Sequence, residues 1–257
     1  MAELQRFEFQ VPEPSIHPSP RWVRVRVGDT WIADSRRSLL LVRYGREVLP
    51  TYCVPADDVR TDLLHASGPP EAGVIPHDVR VGDEALPGAA ILFAGPPAPL
   101  AELDGYWSFT WDDARLAWFE EATQAYVHAR DPFKRVDALA SERHVRVEID
   151  GQLVAESRRP HALFETSLPT RWYLPFIDVR QELLEPSDTV SQCPYKGTAN
   201  YYSVRIGDTV HRDVAWTYPN TIPECTKIVG LVAFFNERVD LVIDGVREER
   251  PLTPWSV

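Results

Sequence analysis

One stretch of this chain is written twice. Residues 25–37 read VRVGDTWIADSRR and residues 147–159 read VEIDGQLVAESRR, so Ala33, Ser35, Arg36 and Arg37 recur as Ala155, Ser157, Arg158 and Arg159, 122 positions later. Farther on, Tyr52-Cys53-Val54-Pro55 lies over Trp172-Tyr173-Leu174-Pro175, and Asp58-Val59-Arg60 over Asp178-Val179-Arg180, at an offset of 120. Arg80-Val81-Gly82-Asp83 then faces Arg205-Ile206-Gly207-Asp208 at an offset of 125, as Gly105 and Phe109 face Gly230 and Phe234. Halves that share landmarks in one order fold as two copies of one unit; the period is too long for a solenoid repeat. A chain of 257 residues has room for two domains of ordinary size. The repeat sets the expected limits: an N-terminal arm 1–20, a first domain 21–121, a connector 122–142, a second domain 143–250 and a tail 251–257.

Within a copy, short apolar runs alternate with turn residues. Asp150-Gly151 and Asp244-Gly245 sit between apolar stretches, a hairpin signal because both turn positions need positive φ. Arg24 and Arg26 alternate with Val23, Val25 and Val27, which reads as a strand with one wet face. Asp58 to Leu64 and Asp178 to Leu184 read as single helical turns opened by an Asp cap. One segment is contested. Trp111, Arg115, Trp118, Ala122 and Tyr126 fall at helical spacing, but the repeat lays residues 115–120 over 239–244, which read as a strand. Duplicated domains keep their strand ladders, so a strand is expected there. With 23 prolines and these turns the expected class is mostly β: antiparallel strands with a few short helical turns.

Composition excludes several function classes. A formal net charge of −11 argues against a nucleic-acid partner, because phosphate binding needs a basic footprint. Cys53, Cys193 and Cys225 form no CxxC pair, which argues against a disulfide framework and a structural zinc site. There is no signal-peptide pattern and no apolar run long enough to span a membrane, so a cytoplasmic protein is expected. Arginine far outnumbers lysine, and Ala, Gly and Pro are plentiful, a bias that points to a bacterial source. Walker, GxGxxG, HExxH and GxSxG motifs are missing, so no cofactor and no metal are expected.

The differences between the copies point to chemistry. Cys193-Pro194-Tyr195-Lys196-Gly197 faces Gly68-Pro69-Pro70-Glu71-Ala72, and Ala215-Trp216-Thr217-Tyr218-Pro219 faces Ala90-Ile91-Leu92-Phe93-Ala94. What both copies keep is scaffold; what only the second carries is a candidate site. Cys193 beside Lys196 reads as a nucleophile with a lowered thiol pKa or as a buried thiol before a turn proline. Lys196 reads as an anion anchor, a base or an exposed turn residue. Tyr195, Tyr202, Trp216 and Tyr218, with Trp172 and Tyr173, read as pocket lining or as aromatic core. Arg158 is placed to pair with Glu165 or Asp178. Arg171, which replaces Thr51, is the better anion-binding candidate. The connector run His128 to Arg135 mixes a His, an Asp and three cations, and reads as a docking segment that closes a pocket or as a solvated link.

Together, A-[DE]-S-R-R, L-P-T-R-W-Y-x-P-x-x-D-V-R, C-P-Y-K-G, A-W-x-Y-P and F-x-N-E-x-V-D-L-x-I-D-G resemble the domain of unknown function 427 family. The likeness covers nearly the whole chain as two copies, the second the closer. It implies a β-tent-like domain, two antiparallel sheets meeting over a cavity. The zinc of other β-tents does not carry over, because their CxxC pairs are missing here. A nucleotidyltransferase-like label attached to the family finds no paired metal-binding carboxylates behind a Gly-Ser turn.

The expected function is therefore binding of a small organic ligand, one with an acidic group being the natural match, in an aromatic-lined cavity of the second domain. The expected ligand-binding residues are Arg158, Glu165, Arg171, Trp172, Tyr173, Lys196, Tyr202, Trp216 and Tyr218. The alternatives are an enzyme using Cys193 or Lys196 with Tyr195, and a protein-interaction scaffold.

Overall fold

The computed structural model describes residues 7–45, 48–112 and 114–256. The chain divides between Asp131 and Pro132, inside the segment expected to be a connector; residues 7–10 group with the second unit. The first unit has a seven-stranded sheet in the order Ser15–Pro18, Leu39–Val42, Thr51–Pro55, Tyr106–Phe109, Glu84–Phe93, Val74–Val81, Leu64–Ala66. It also has a four-stranded sheet, Thr123–Ala125, Leu116–Glu120, Val23–Val27, Thr30–Ser35. The second unit repeats the first strand for strand. Its seven-stranded sheet runs Val136–Ala140, His161–Glu165, Arg171–Leu174, Val232–Phe234, Thr209–Thr221, Gly197–Ile206, Leu184–Cys193. Its four-stranded sheet runs Val246–Arg247, Asp240–Ile243, Val145–Ile149, Gln152–Ser157. The repeat thus outweighs the helical spacing: Leu116–Glu120 is a strand, pairing Trp118 with Val25. Ser15–Pro18 and Val136–Ala140, which fall in the expected arm and connector, are edge strands of the large sheets.

Local chemistry accounts for the elements. Val145–Ile149 and Val23–Val27 alternate buried valine or isoleucine with half-buried polar residues, the period-two pattern of a sheet with one covered face. Asp150 and Gly151 both hold positive φ (49° and 76°) between Ile149 and Gln152, closing the tight hairpin the Asp-Gly pair signals. Arg24 lies over the rings of Trp22 (3.9 Å) and Trp31 (4.5 Å), so the wet face of its strand is a cation–aromatic stack. In the second unit the two sheets face each other through Val145, Val147, Ile149, Ala162, Trp172, Leu174, Val204, Ala215, Val232 and Phe234, each 8% exposed or less. Among the described residues no helix is long and apolar enough to cross a membrane.

The expected Asp caps need correction. The helical turns are Ala56–Asp58 and Thr61–Leu63 in the first unit, Phe176–Asp178 and Gln181–Leu183 in the second. Asp58 and Asp178 close a turn instead of opening one. Their carboxylates tie that turn to the strand before it: Ser35 Oγ donates to Asp58 and Ser157 Oγ to Asp178, both at 2.7 Å. Arg37 and Arg159 complete the pairs at 2.7 and 3.1 Å. The Arg members are largely exposed and contribute little; the Ser–Asp bond is the partly buried anchor. Ser35→Ala and Ser157→Ala should each cost about 1–2 kcal/mol, the loss of one hydrogen bond to a charged acceptor. Urea unfolding followed by hydrogen exchange should show each shifting only its own domain, by similar amounts. A neutral effect at either position would remove the anchor role.

Candidate functional site

Strand alternation sorts the candidates of the second domain onto two opposite faces of the large sheet. Cross-strand partners share a face, and the ladder pairs Leu163 with Arg171, His161 with Tyr173, Tyr173 and Trp216 with Ala233, and Tyr201 with Trp216. Glu165 and Tyr218 lie two residues from Leu163 and Trp216, so they join this face. Trp172 and Tyr202 do not: they pair with Ala162 and Ala215 on the face that packs against the small sheet. The expectation that all the aromatics line one cavity is thereby corrected: they divide between the two faces. The face between the sheets carries the apolar side chains described above, and most candidates collect on the sheet's other face. There Ala138, Leu163, Tyr173, Ala199, Trp216 and Tyr218 are buried together with Cys225 and Ile228 of the short helical segment Pro223–Ile228.

The centre of this face is Glu165, 8% exposed. Its carboxylate accepts from Lys196 Nζ and pairs with Lys134 Nζ at 3.3 Å. Burial alone would push the Glu165 carboxyl up, but Lys196 and Lys134 outweigh it and hold it below the usual carboxylate range. Burial works against the Lys196 ammonium too, and Glu165 with the neighbouring Cys193, Tyr218 and Tyr173 raises its pKa well above the ordinary lysine value. The backbone fixes Lys196 in place. It ends the turn from Cys193, with its N–H donating to the Cys193 carbonyl (3.2 Å) and its carbonyl accepting from Ile222 (3.0 Å). The next residue, Gly197, has φ +119°, and a Cβ there would meet the Asn220 carbonyl oxygen at 2.5 Å, so only glycine lets this turn lie against the strand Thr209–Thr221.

Aromatic groups wall the cluster. Tyr173 is fully buried and its hydroxyl accepts from Trp216 Nε1 at 3.0 Å. Burial drives the Tyr173 and Tyr218 hydroxyls far up, so both stay neutral. The Tyr195 ring lies 5.8 Å from Lys134 Nζ. Cys225 donates to the Tyr195 carbonyl at 3.2 Å, and burial pushes its thiol up to about 11. Cys193 is half-buried at the edge of the group. Chemically the arrangement is an electrostatic anchor. Lys196 is held as an ammonium and has no lone pair to offer, so the expectation of a lysine base finds no support in its surroundings.

Two expected anchors are placed differently. Arg171 makes a bidentate pair with Glu237, both bonds 2.7 Å, with side chains 8% and 0% exposed. Thr253 Oγ1 also donates to that carboxylate at 2.6 Å, which ties the C-terminal segment to the pair. Arg171 is therefore satisfied within the domain. Arg158 reaches neither Glu165 nor Asp178: it is exposed, its guanidinium 3.4 Å from His144 Nδ1, and Asp178 belongs to Arg159. Lys134 and Glu237 were not singled out individually by the sequence. Lys134 belongs to the charged connector run, and Glu237 to the F-x-N-E motif. Their partners lie 31 and 66 residues away, beyond any local spacing signal.

The first domain covers the same face with inert groups. Leu39, Leu41, Cys53, Phe93 and Leu103 are buried there, with Ile16, Val74 and Ile91 against them. Cys53 stands for Tyr173, Ile91 for Trp216, Phe93 for Tyr218, and Arg43 for Glu165. Arg43 is half-buried with its Nε unsatisfied, while Glu71, in the place of Lys196, is exposed. Among the described residues no group of three or more His, Cys, Asp or Glu is placed to hold a metal ion.

A family model described as Domain of unknown function (DUF427) matches the chain twice, over residues 15–121 and 137–245. The two matches begin at or one residue inside the edge strands Ser15–Pro18 and Val136–Ala140. No curated protein matches the chain.

Proposed function

The chain belongs to that family, in two copies, and from this premise we propose that its second domain binds a small organic acid on the face built around Lys196. The carrying observation is that two of the chain's three lysines, Lys134 and Lys196, converge on one buried carboxylate walled by tyrosine rings. A buried ion cluster is a poor stability device, because desolvation offsets most of the Coulomb gain. The fold does not need one: the first domain builds the same sheet with leucine, isoleucine and phenylalanine on this face. The polar set therefore reads as retained for what it holds. Glu165 keeps the Lys196 ammonium charged and holds Lys134 beside it. The remaining N–H donors of Lys196 take the ligand's acidic group, and the rings of Tyr195 and Tyr218 contact its organic body.

Calorimetric titration and thermal unfolding with benzoate, indole-3-acetate and a nucleoside monophosphate test the reading. At least one should bind and raise the second-domain unfolding temperature. Lys196→Met should weaken it by about tenfold or more, the worth of one charge-assisted hydrogen bond. Binding that Lys196→Met leaves unchanged, or no binding by any of these acids, would remove the proposal.

A further inference from the structure

The second domain carries another feature that the first lacks. Its edge strand, Leu184–Cys193, is ten residues long; the matching strand of the first domain, Leu64–Ala66, has three. The ladder slips between Pro186 and Val190 on this strand, and again between Tyr202 and Val204 on its neighbour. Two β-bulges on adjacent strand pairs thus open beside each other, and bulges re-aim side chains. Between them lies a cavity of about 580 Å³, within the range of small-molecule sites. None of its lining residues belongs to the Lys196 cluster.

The walls are polar, and not all of that polarity is spoken for. Glu185 and Arg205 pair with each other, and Thr189 Oγ1 donates to Asp213 at 2.8 Å. Asp213 holds φ +50°, where the first domain has Gly88 at +62°, so the wall keeps a carboxylate in a backbone conformation that suits glycine. Asp188, from one bulge, and Arg212, from the other, both line the cavity, and neither side chain has a hydrogen bond or ion pair among the described residues. The hydroxyls of Ser187 and Ser203 line it as well. At the position of Arg212 the first domain has Pro87.

We propose that this double-bulge cavity is a second binding site, for a small zwitterion of the α-amino-acid class. The ligand's ammonium rests on Asp188, its carboxylate on Arg212, and the serine hydroxyls take its remaining polar atoms. One anion and one cation across a small polar hollow complement a molecule bearing both charges. A simple acid would leave Asp188 opposed to like charge, and an amine would do the same to Arg212.

Amide NMR titration of the full chain with L-serine tests this, with acetate, methylammonium and sorbitol as comparison probes. L-Serine should shift the amides of 187–189 and 212–213 saturably, and Asp188→Asn and Arg212→Gln should each weaken it at least fivefold. Both residues are exposed, so the variants keep the fold, which their unperturbed spectra will show. Saturating benzoate should leave the L-serine titration unchanged, separating this site from the organic-acid site. No shifts with L-serine, or equal shifts with acetate, methylammonium or sorbitol, would overturn the assignment. So would binding indifferent to both variants.

Discussion

Glu237→Leu should destabilise the second domain by about 3–5 kcal/mol, the cost of leaving one member of a buried ion pair without its partner. The carboxylate is completely covered, and Arg171, which it meets through two bonds of 2.7 Å, is nearly so. A buried guanidinium cannot shed its proton to escape, unlike a lysine or a carboxylate, so the whole penalty falls on the fold. Burial would push the Glu237 carboxyl up, yet the Arg171 bonds hold it below its ordinary value. The variant also releases Thr253, and with it one tie on the C-terminal segment. Removing both charges is a different experiment. In Arg171→Met/Glu237→Leu no uncompensated charge remains, and stability should return to within about 1 kcal/mol of the parent. The first domain offers the precedent: Thr51 stands at the position of Arg171 and is satisfied by Ser108 and Trp111 without any ion pair. Urea unfolding read out by second-domain hydrogen exchange measures both variants. A single variant costing less than about 1 kcal/mol, or a double as unstable as the single, would show that the pair is not a buried charge problem.

The duplication made the architecture legible, and local spacing alone did not. Trp111 to Tyr126 has helical periodicity, yet Leu116–Glu120 pairs with Val23–Val27, because a partner strand can overrule propensity where a half-turn of chain cannot. The differences between the copies gather on one face: Tyr173 and Tyr218 replace a buried Cys and a buried Phe there, and Trp216 replaces a half-buried Ile. Period two accounts for two departures from expectation. Trp172 and Tyr173 are neighbours and must point to opposite faces, as must Tyr201 and Tyr202. Arg159, two residues from inward-facing Ser157, reaches Asp178 with it, whereas Arg158 points away. Other features had no local signal. Lys134 meets Glu165, and Arg171 meets Glu237, only because strands distant in sequence pair in the large sheet. The cavity at the edge strand depends on two slips of register, and a slip leaves no mark in composition.

Lys196→Met should cost the second domain about 3–5 kcal/mol at neutral pH, and the loss should shrink steadily as the solution is acidified. The folded Glu165 carboxyl titrates below its unfolded value of about 4.3. Its contribution is therefore fully present above about pH 4.3 and disappears as pH falls through the folded value. Lys196 runs the other way. Its folded pKa is raised, so its contribution holds below about pH 10.4 and is lost only as pH climbs through the folded value. Between these limits both are charged and the parent shows a plateau. Without the Lys196 ammonium, Glu165 keeps Lys134 at 3.3 Å, but burial is opposed by one cation in place of two, and its carboxyl rises. The variant then tolerates acid better than the parent, since a protonated Glu165 needs no counter-ion. In acid the parent meets the converse difficulty, a buried Lys196 ammonium facing a neutral acid. The two stability curves should converge below about pH 4. Parallel curves over the whole range would mean that the methionine disturbs packing only, and the ionic account of this face would fall. Glu165→Gln gives the mirror test: its deficit should be nearly absent in acid and full at neutral pH, where only the parent has a carboxylate to answer the two lysines.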